Sequence, residues 1–138
     1  MRRVHINGIL ASEFVIHAYV AGMLGVPLPF VSGDEALCRQ AKELVPGITT
    51  AAVSKGEGDA ATSMHPDDAI DLIQDRMALA FSGDWASCVA PMPKEFETTI
   101  EYIHHKDAYF NCQYPGAKQL DPYTISFTAA DYKNIMRF

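Results

Sequence analysis

Glu13 and His17 stand four residues apart in "SEFVIHAYV", a spacing that puts a carboxylate and an imidazole on one face of a helix. Such a pair can ligate a metal ion or hydrogen-bond internally. Each residue also has a plainer explanation. An acid in the first turn of a helix is stabilised by the positive end of the macrodipole, and a histidine inside an apolar helix is accounted for by a hydrogen-bonded partner in the core or at an interface. His5 is the next donor in sequence. A local site built from His5, Glu13 and His17 needs the Asn7-Gly8 turn to bring the end of a strand against the start of a helix. Metal sites with so few ligands are completed by further residues, and the local sequence supplies none.

The other candidates are weaker. His104 and His105 are adjacent, so on a strand they face opposite ways and cannot readily share a metal. His65 precedes Pro66 and Asp67, the place of a helix N-cap. "KGEGDAA" carries two glycines, but Glu57 and Asp59 would repel a phosphate. The chain has no Walker-type phosphate loop, no G-x-G-x-x-G fingerprint, no H-E-x-x-H and no G-x-S-x-G.

The elements that must hold Glu13 follow from patterning. Residues 3 to 10 read as a short strand ending at Asn7-Gly8, and Ser12 caps a helix running to about Leu24. Its apolar residues, from Phe14 to Leu24, occupy all sides, so it is expected to be central or at an interface. "LPFVSGD" has the look of a buried strand and "DEALCRQAKELVPG" of a helix with acids first and Lys42 near its end. "ITTAAVSKG" is a strand, followed by a turn at Gly56 and Gly58. A long helix starts at Pro66, with Ile70, Ile73, Met77 and Phe81 as its stripe and Gly83 as its stop.

Residues 83 to 94 carry dense turn signals and are expected to form a loop. "EFETTIEYIH" alternates, with Phe96, Thr98, Ile100, Tyr102 and His104 on the packed face. Asp107 is placed to cap a short helix ended by Pro115-Gly116, and "DPYTISFTA" is a strand with Tyr123, Ile125 and Phe127 on one side. Thr128 and Asp131 have capping-box spacing before a brief final helix. Strands alternating with helices predict one α/β domain over residues 1–138, a three-layer sandwich with a mixed, mainly parallel sheet flanked by helices.

Bulk composition narrows the partners. With 138 residues and 49% hydrophobic content the chain can bury one core. A net charge of -6 provides no basic face for nucleic acid or an anionic membrane. Three cysteines without a CxxC pair are expected as buried thiols, not as a disulfide framework or zinc knuckle. No apolar stretch reaches signal-peptide or membrane-span length, so a cytoplasmic protein is expected.

"INGILASEF", "AGMLGVPLPFVSGDEALCRQAKELVPG", "AAVSKGEGDAA", "DAYFNCQYPGAKQLD" and "SFTAADY" occur in an order and spacing that resemble the later half of the DppA-type zinc D-aminopeptidases. The resemblance runs from Val4 to Tyr132, and "VSGD" and the "NG...SE" turn are its most specific pieces. It implies cytoplasmic metallopeptidases that release N-terminal D-amino acids from short peptides, using two zinc ions in a self-compartmentalising ring of subunits. It also implies that Glu13, matching the glutamate after the family's Asn-Gly turn, is a zinc ligand. The family's other ligands, an Asp-x-Glu and two histidines, and its proposed catalytic histidine all precede that turn, where this chain has only Met1 to Ile6. Val15 and His17 replace a glycine and an asparagine usual in the family, the final helix is shortened, and His5 matches no family ligand.

One carboxylate cannot hold a di-zinc centre, which takes several N and O donors. The expected role is therefore the later part of a zinc D-aminopeptidase-like hydrolase, inactive alone, binding no zinc tightly by itself, and either homo-oligomeric or completed by a missing N-terminal half. In the completed site zinc would activate a water, with a histidine as acid or base. The alternative is a degenerate relative serving as a binding or assembly module without metal. The first reading predicts Glu13 at an exposed edge with apolar surface left nearby; the second predicts a closed, polar surface around it.

Overall fold

The computed structural model describes residues 1–138. Its elements are β1 (Arg3–Ile6), β2 (Ile9–Leu10), α1 (Glu13–Met23), β3 (Phe30–Asp34), α2 (Glu35–Leu44), β4 (Thr49–Glu57), β5 (Ala60–Ser63), α3 (Pro66–Ser82), β6 (Phe96–Glu101), α4 (His105–Asn111), β7 (Lys118–Gln119), β8 (Thr124–Ala129) and α5 (Tyr132–Ile135). A single 3₁₀ turn, Trp85–Ser87, interrupts the loop expected over residues 83 to 94. The chain divides into two compact units, Met1–Ile16 with Met92–Phe138, and His17–Pro91, the division falling inside α1.

In the first unit Asn7 and Gly8 adopt φ of 50° and 78°, the left-handed pair that closes a two-residue hairpin. The chain reverses there, so residues 3 to 10 form two paired strands and not one. The sheet runs β2-β1-β6-β8-β7 and is antiparallel throughout. Register sets Val4 opposite Ile100 and Ile100 opposite Ile125, while Ile6, Thr98 and Phe127 form the next row. Residues opposite one another share a face, so these rows make the apolar side. His5, Thr99 and Ser126 lie on the other face. Ile100, Tyr102, Ala108 and Ile125 form a core cluster joined by Val4, Cys112 and Phe138, and α5 packs against β6 and β8.

The second unit holds a three-stranded sheet, β3-β4-β5. β3 and β4 are parallel, and the connection that permits this is α2. Asp34 caps that helix, its Oδ1 accepting from the Leu37 N–H at 2.7 Å, and Cys38, Ala41 and Leu44 are its buried residues. A hairpin at Gly58, φ 63°, pairs β4 with β5. Both α2 and α3 pack on β4.

Several expectations are corrected. In place of one mainly parallel sheet there are two sheets flanked by helices, and β3–β4 is the parallel pair, because other neighbouring strands are antiparallel. The stretch after Gly58 is the strand β5, and Lys118–Gln119 adds β7 to the edge. β6 stops at Glu101, so His104 and His105 sit on no strand; His104 is the residue before α4 and Asp107 lies inside that helix, not at its cap. Asp131 caps α5 by accepting from the Lys133 N–H at 2.9 Å, while Thr128 remains in β8. His65 does cap α3, its Nδ1 accepting from the Asp67 N–H at 3.3 Å. The stripe on α3 is only partly packed: Ile73 is half-buried, whereas Ile70, Met77 and Phe81 are exposed.

Candidate functional site

Glu13 opens α1 immediately after the first hairpin, and three anchors within its own unit fix that position. Asn7 provides the first. Its side-chain Nδ2 donates to the Glu95 carbonyl at 3.1 Å and its Oδ1 accepts from the Glu97 N–H at 2.7 Å. The Asn7 N–H also donates to the Glu97 carbonyl at 2.8 Å, so the turn is tied to the start of β6 by backbone and side chain together. Ser12 provides the second, its Oγ accepting from the Val15 N–H at 3.3 Å as a helix N-cap does. Tyr132 provides the third. Its hydroxyl donates to the Ile16 carbonyl at 3.1 Å, and its ring packs against Phe96 with centroids 4.9 Å apart.

These anchors leave the Glu13 side chain exposed while Val15 is fully buried. The helix is not covered all round, as the apolar run suggests. Glu13 and His17 are exposed. Val15, Ala18 and Tyr19 are the buried residues. Glu13 lies in the first turn of α1, where an acid is compatible with the helix macrodipole.

His17 follows one turn later and is exposed. His5 is half-buried on β1, opposite Leu10 on one side and Thr99 on the other. No group of three or more His, Cys, Asp or Glu side chains in the structure is arranged to hold a metal ion. Zinc takes about four donors, and Glu13 offers one carboxylate toward such a set. Burial raises Tyr19 and Tyr102, the latter helped by Asp107. Burial is also the main cause that raises Cys38, with the Asp34 carboxylate adding to it. The Tyr123 N–H, 2.7 Å from Asp121 Oδ1, is the main cause holding that carboxyl below its usual range.

Two positioning residues escape sequence reading. Asn7 looks like turn chemistry alone, because nothing local shows that its amide reaches across to β6. Tyr132 looks like the start of a frayed final helix, and its bond to Ile16 spans 116 residues.

The chain is similar to known proteins along nearly its whole length. A family profile described as D-aminopeptidase matches residues 1–138. A D-aminopeptidase of Bacillus subtilis is 31% identical over 134 residues, which cover 95% of this chain and 48% of that protein. Among solved structures, the zinc-dependent D-aminopeptidase DppA from Bacillus subtilis, described as a self-compartmentalizing protease, superposes with a TM-score of 0.82 at 29% identity. The alignment covers 99% of this chain and 52% of DppA. The chain thus spans about half the length of these relatives.

Proposed function

The chain belongs to the D-aminopeptidase family, and we propose that it serves as the later half of a zinc-dependent D-aminopeptidase, contributing Glu13 as one metal ligand to a site that other residues complete. The observation that carries this reading is the triple anchoring, by Asn7, Ser12 and Tyr132, of the backbone at the start of α1, where the exposed Glu13 stands. A surface acid needs no such support, whereas a metal ligand must be presented in one geometry. The half-length match to the relatives supports the need for further ligands from outside this chain. When bound, zinc would supply an activated water and a polarised carbonyl. Asn7, Ser12 and Tyr132 hold the backbone at the start of α1, on which Glu13 stands.

The proposal extends to short peptides bearing an N-terminal D-amino acid as substrates, to a cytoplasmic setting, and to self-assembly like that described for DppA. No helix is long and apolar enough to cross a membrane. Exposed apolar side chains on α3, among them Ile70, Met77, Leu79 and Phe81, support assembly between copies of the chain.

The test is zinc binding by the chain alone and by the chain co-expressed with the earlier half of the Bacillus subtilis enzyme. The completed pair is expected to hold zinc after dialysis, and Glu13→Gln to weaken that binding by about a hundredfold, the upper range for lost support of a metal site. Zinc content indifferent to Glu13→Gln would sink the ligand assignment. Stoichiometric zinc on the isolated chain would show instead that no second half is required.

A further inference from the structure

The first unit contains a cavity that the peptidase reading does not use. Its volume is about 240 Å³, and Ile6, Ile16, Ile100, Ile135 and Phe138 give it an apolar wall. Thr98 belongs to that wall and is only 3% exposed. Its Oγ1 is sealed from solvent and has no hydrogen-bond partner in the protein. Native structures seldom leave a buried hydroxyl in that state. Valine would fill the same volume and suit a strand equally well. The neighbours opposite Thr98 in the sheet, Ile6 and Phe127, offer it no polar group. Tyr132, the other hydroxyl in the wall, already donates to the Ile16 carbonyl.

We propose that this cavity binds a small single-ring molecule of the phenol class, its ring against the apolar wall and its hydroxyl paired with Thr98 Oγ1. Size supports a ring: an apolar cavity of about 150 Å³ takes benzene, so the space here admits a substituted one. The flexible thioethers of Met1 and Met136 also line the cavity and suit the edge of an aromatic ring. A lone water is a poor occupant, because a buried water is held by two to four polar partners and Thr98 is the one unpaired hydroxyl in this wall. Rotation about the Thr98 χ1 exchanges its methyl and hydroxyl between staggered positions and turns the oxygen toward the ligand.

The test is a titration of the full chain with p-cresol and with toluene, followed by amide and methyl NMR shifts. The two probes share a ring and a methyl group and differ in the hydroxyl. Shifts are expected at Ile6, Thr98, Ile100 and Ile135, with p-cresol bound about fivefold more tightly, the size of one net hydrogen bond. Thr98→Ser should keep that preference and Thr98→Val should reverse it. Met136→Trp, at an exposed position on the rim, should block both probes without disturbing the fold. The proposal is overturned if neither probe shifts these residues, if both bind the native chain equally, or if the preference survives in Thr98→Val.

Discussion

Cys38 shows how a single residue couples burial to pH. The three cysteines are free thiols, Cys38 and Cys88 buried and Cys112 half-buried. Burial, followed by the Asp34 carboxylate, pushes the Cys38 thiol above its ordinary value, and this outweighs the hydrogen bond from Thr50 and the charge of Lys42. The folded state therefore holds its proton more tightly than the unfolded chain. Stability from this source is complete below the ordinary thiol range and is lost as pH rises through the raised folded value. Urea midpoints measured from neutral to about pH 10 should fall more steeply for the native chain than for Cys38→Ala; equal slopes would refute the assignment. A thiol reagent under native conditions should modify Cys112 first and reach Cys38 and Cys88 only on unfolding. Residue roles of this local kind are readable in advance. The His65 cap and the Ser12 cap follow from their immediate neighbours, but the anchors supplied by Asn7 and Tyr132 depend on partners far along the chain.

Elements are legible where local chemistry and tertiary packing agree. α2 is an example, with Asp34 at its cap, Lys42 in its last turn and Cys38, Ala41 and Leu44 on its buried face. β5 and β7 show the opposite case. Ala60–Ser63 is exposed throughout and Lys118–Gln119 is two residues long, so neither carries the apolar alternation that marks a strand, and pairing alone defines them. The mainly parallel expectation fails because periodicity identifies a strand but not its neighbour's direction; the connections decide that. Gly116 shows a turn fixed by tertiary structure, in the connection between α4, which ends at Asn111 and not at Pro115-Gly116, and β7. Its φ is 90°, and a Cβ there would lie 3.1 Å from Phe127 Cε2. Phe127 stacks with Phe138 at 5.0 Å and meets Tyr114 edge-on at 5.4 Å, so its ring has little room to withdraw. Gly116→Ala should cost about 1 to 3 kcal/mol, read as a lower urea midpoint at unchanged slope. An unaltered midpoint would mean that the aromatic cluster yields freely.

At the scale of the whole molecule, the apolar residues left on α3 are the feature most in need of an occupant. The sequence places Ile70, Ile73, Met77 and Phe81 on one stripe, yet Ile70 is 52%, Met77 44% and Phe81 54% exposed. Packing on β4 is instead made through the flank that holds Ala69, Leu72, Ile73 and Ala80, where Ala80 is buried and the other three are half-buried. Phe81 and Trp85 extend the exposed surface, their ring centroids 6.0 Å apart. Side chains of this size are the residues that anchor interfaces when a partner covers them. If copies of the chain assemble through α3, sedimentation velocity should show mass increasing with concentration. Phe81→Glu should weaken that association by at least about tenfold, because truncating or charging an aromatic anchor commonly costs more than 1 kcal/mol. The same variant should leave the urea midpoint nearly unchanged, since an exposed side chain on a helix contributes little to the folded unit. A chain that sediments as a monomer at every concentration, or a Phe81→Glu variant that assembles like the native chain, would remove α3 as the assembly surface.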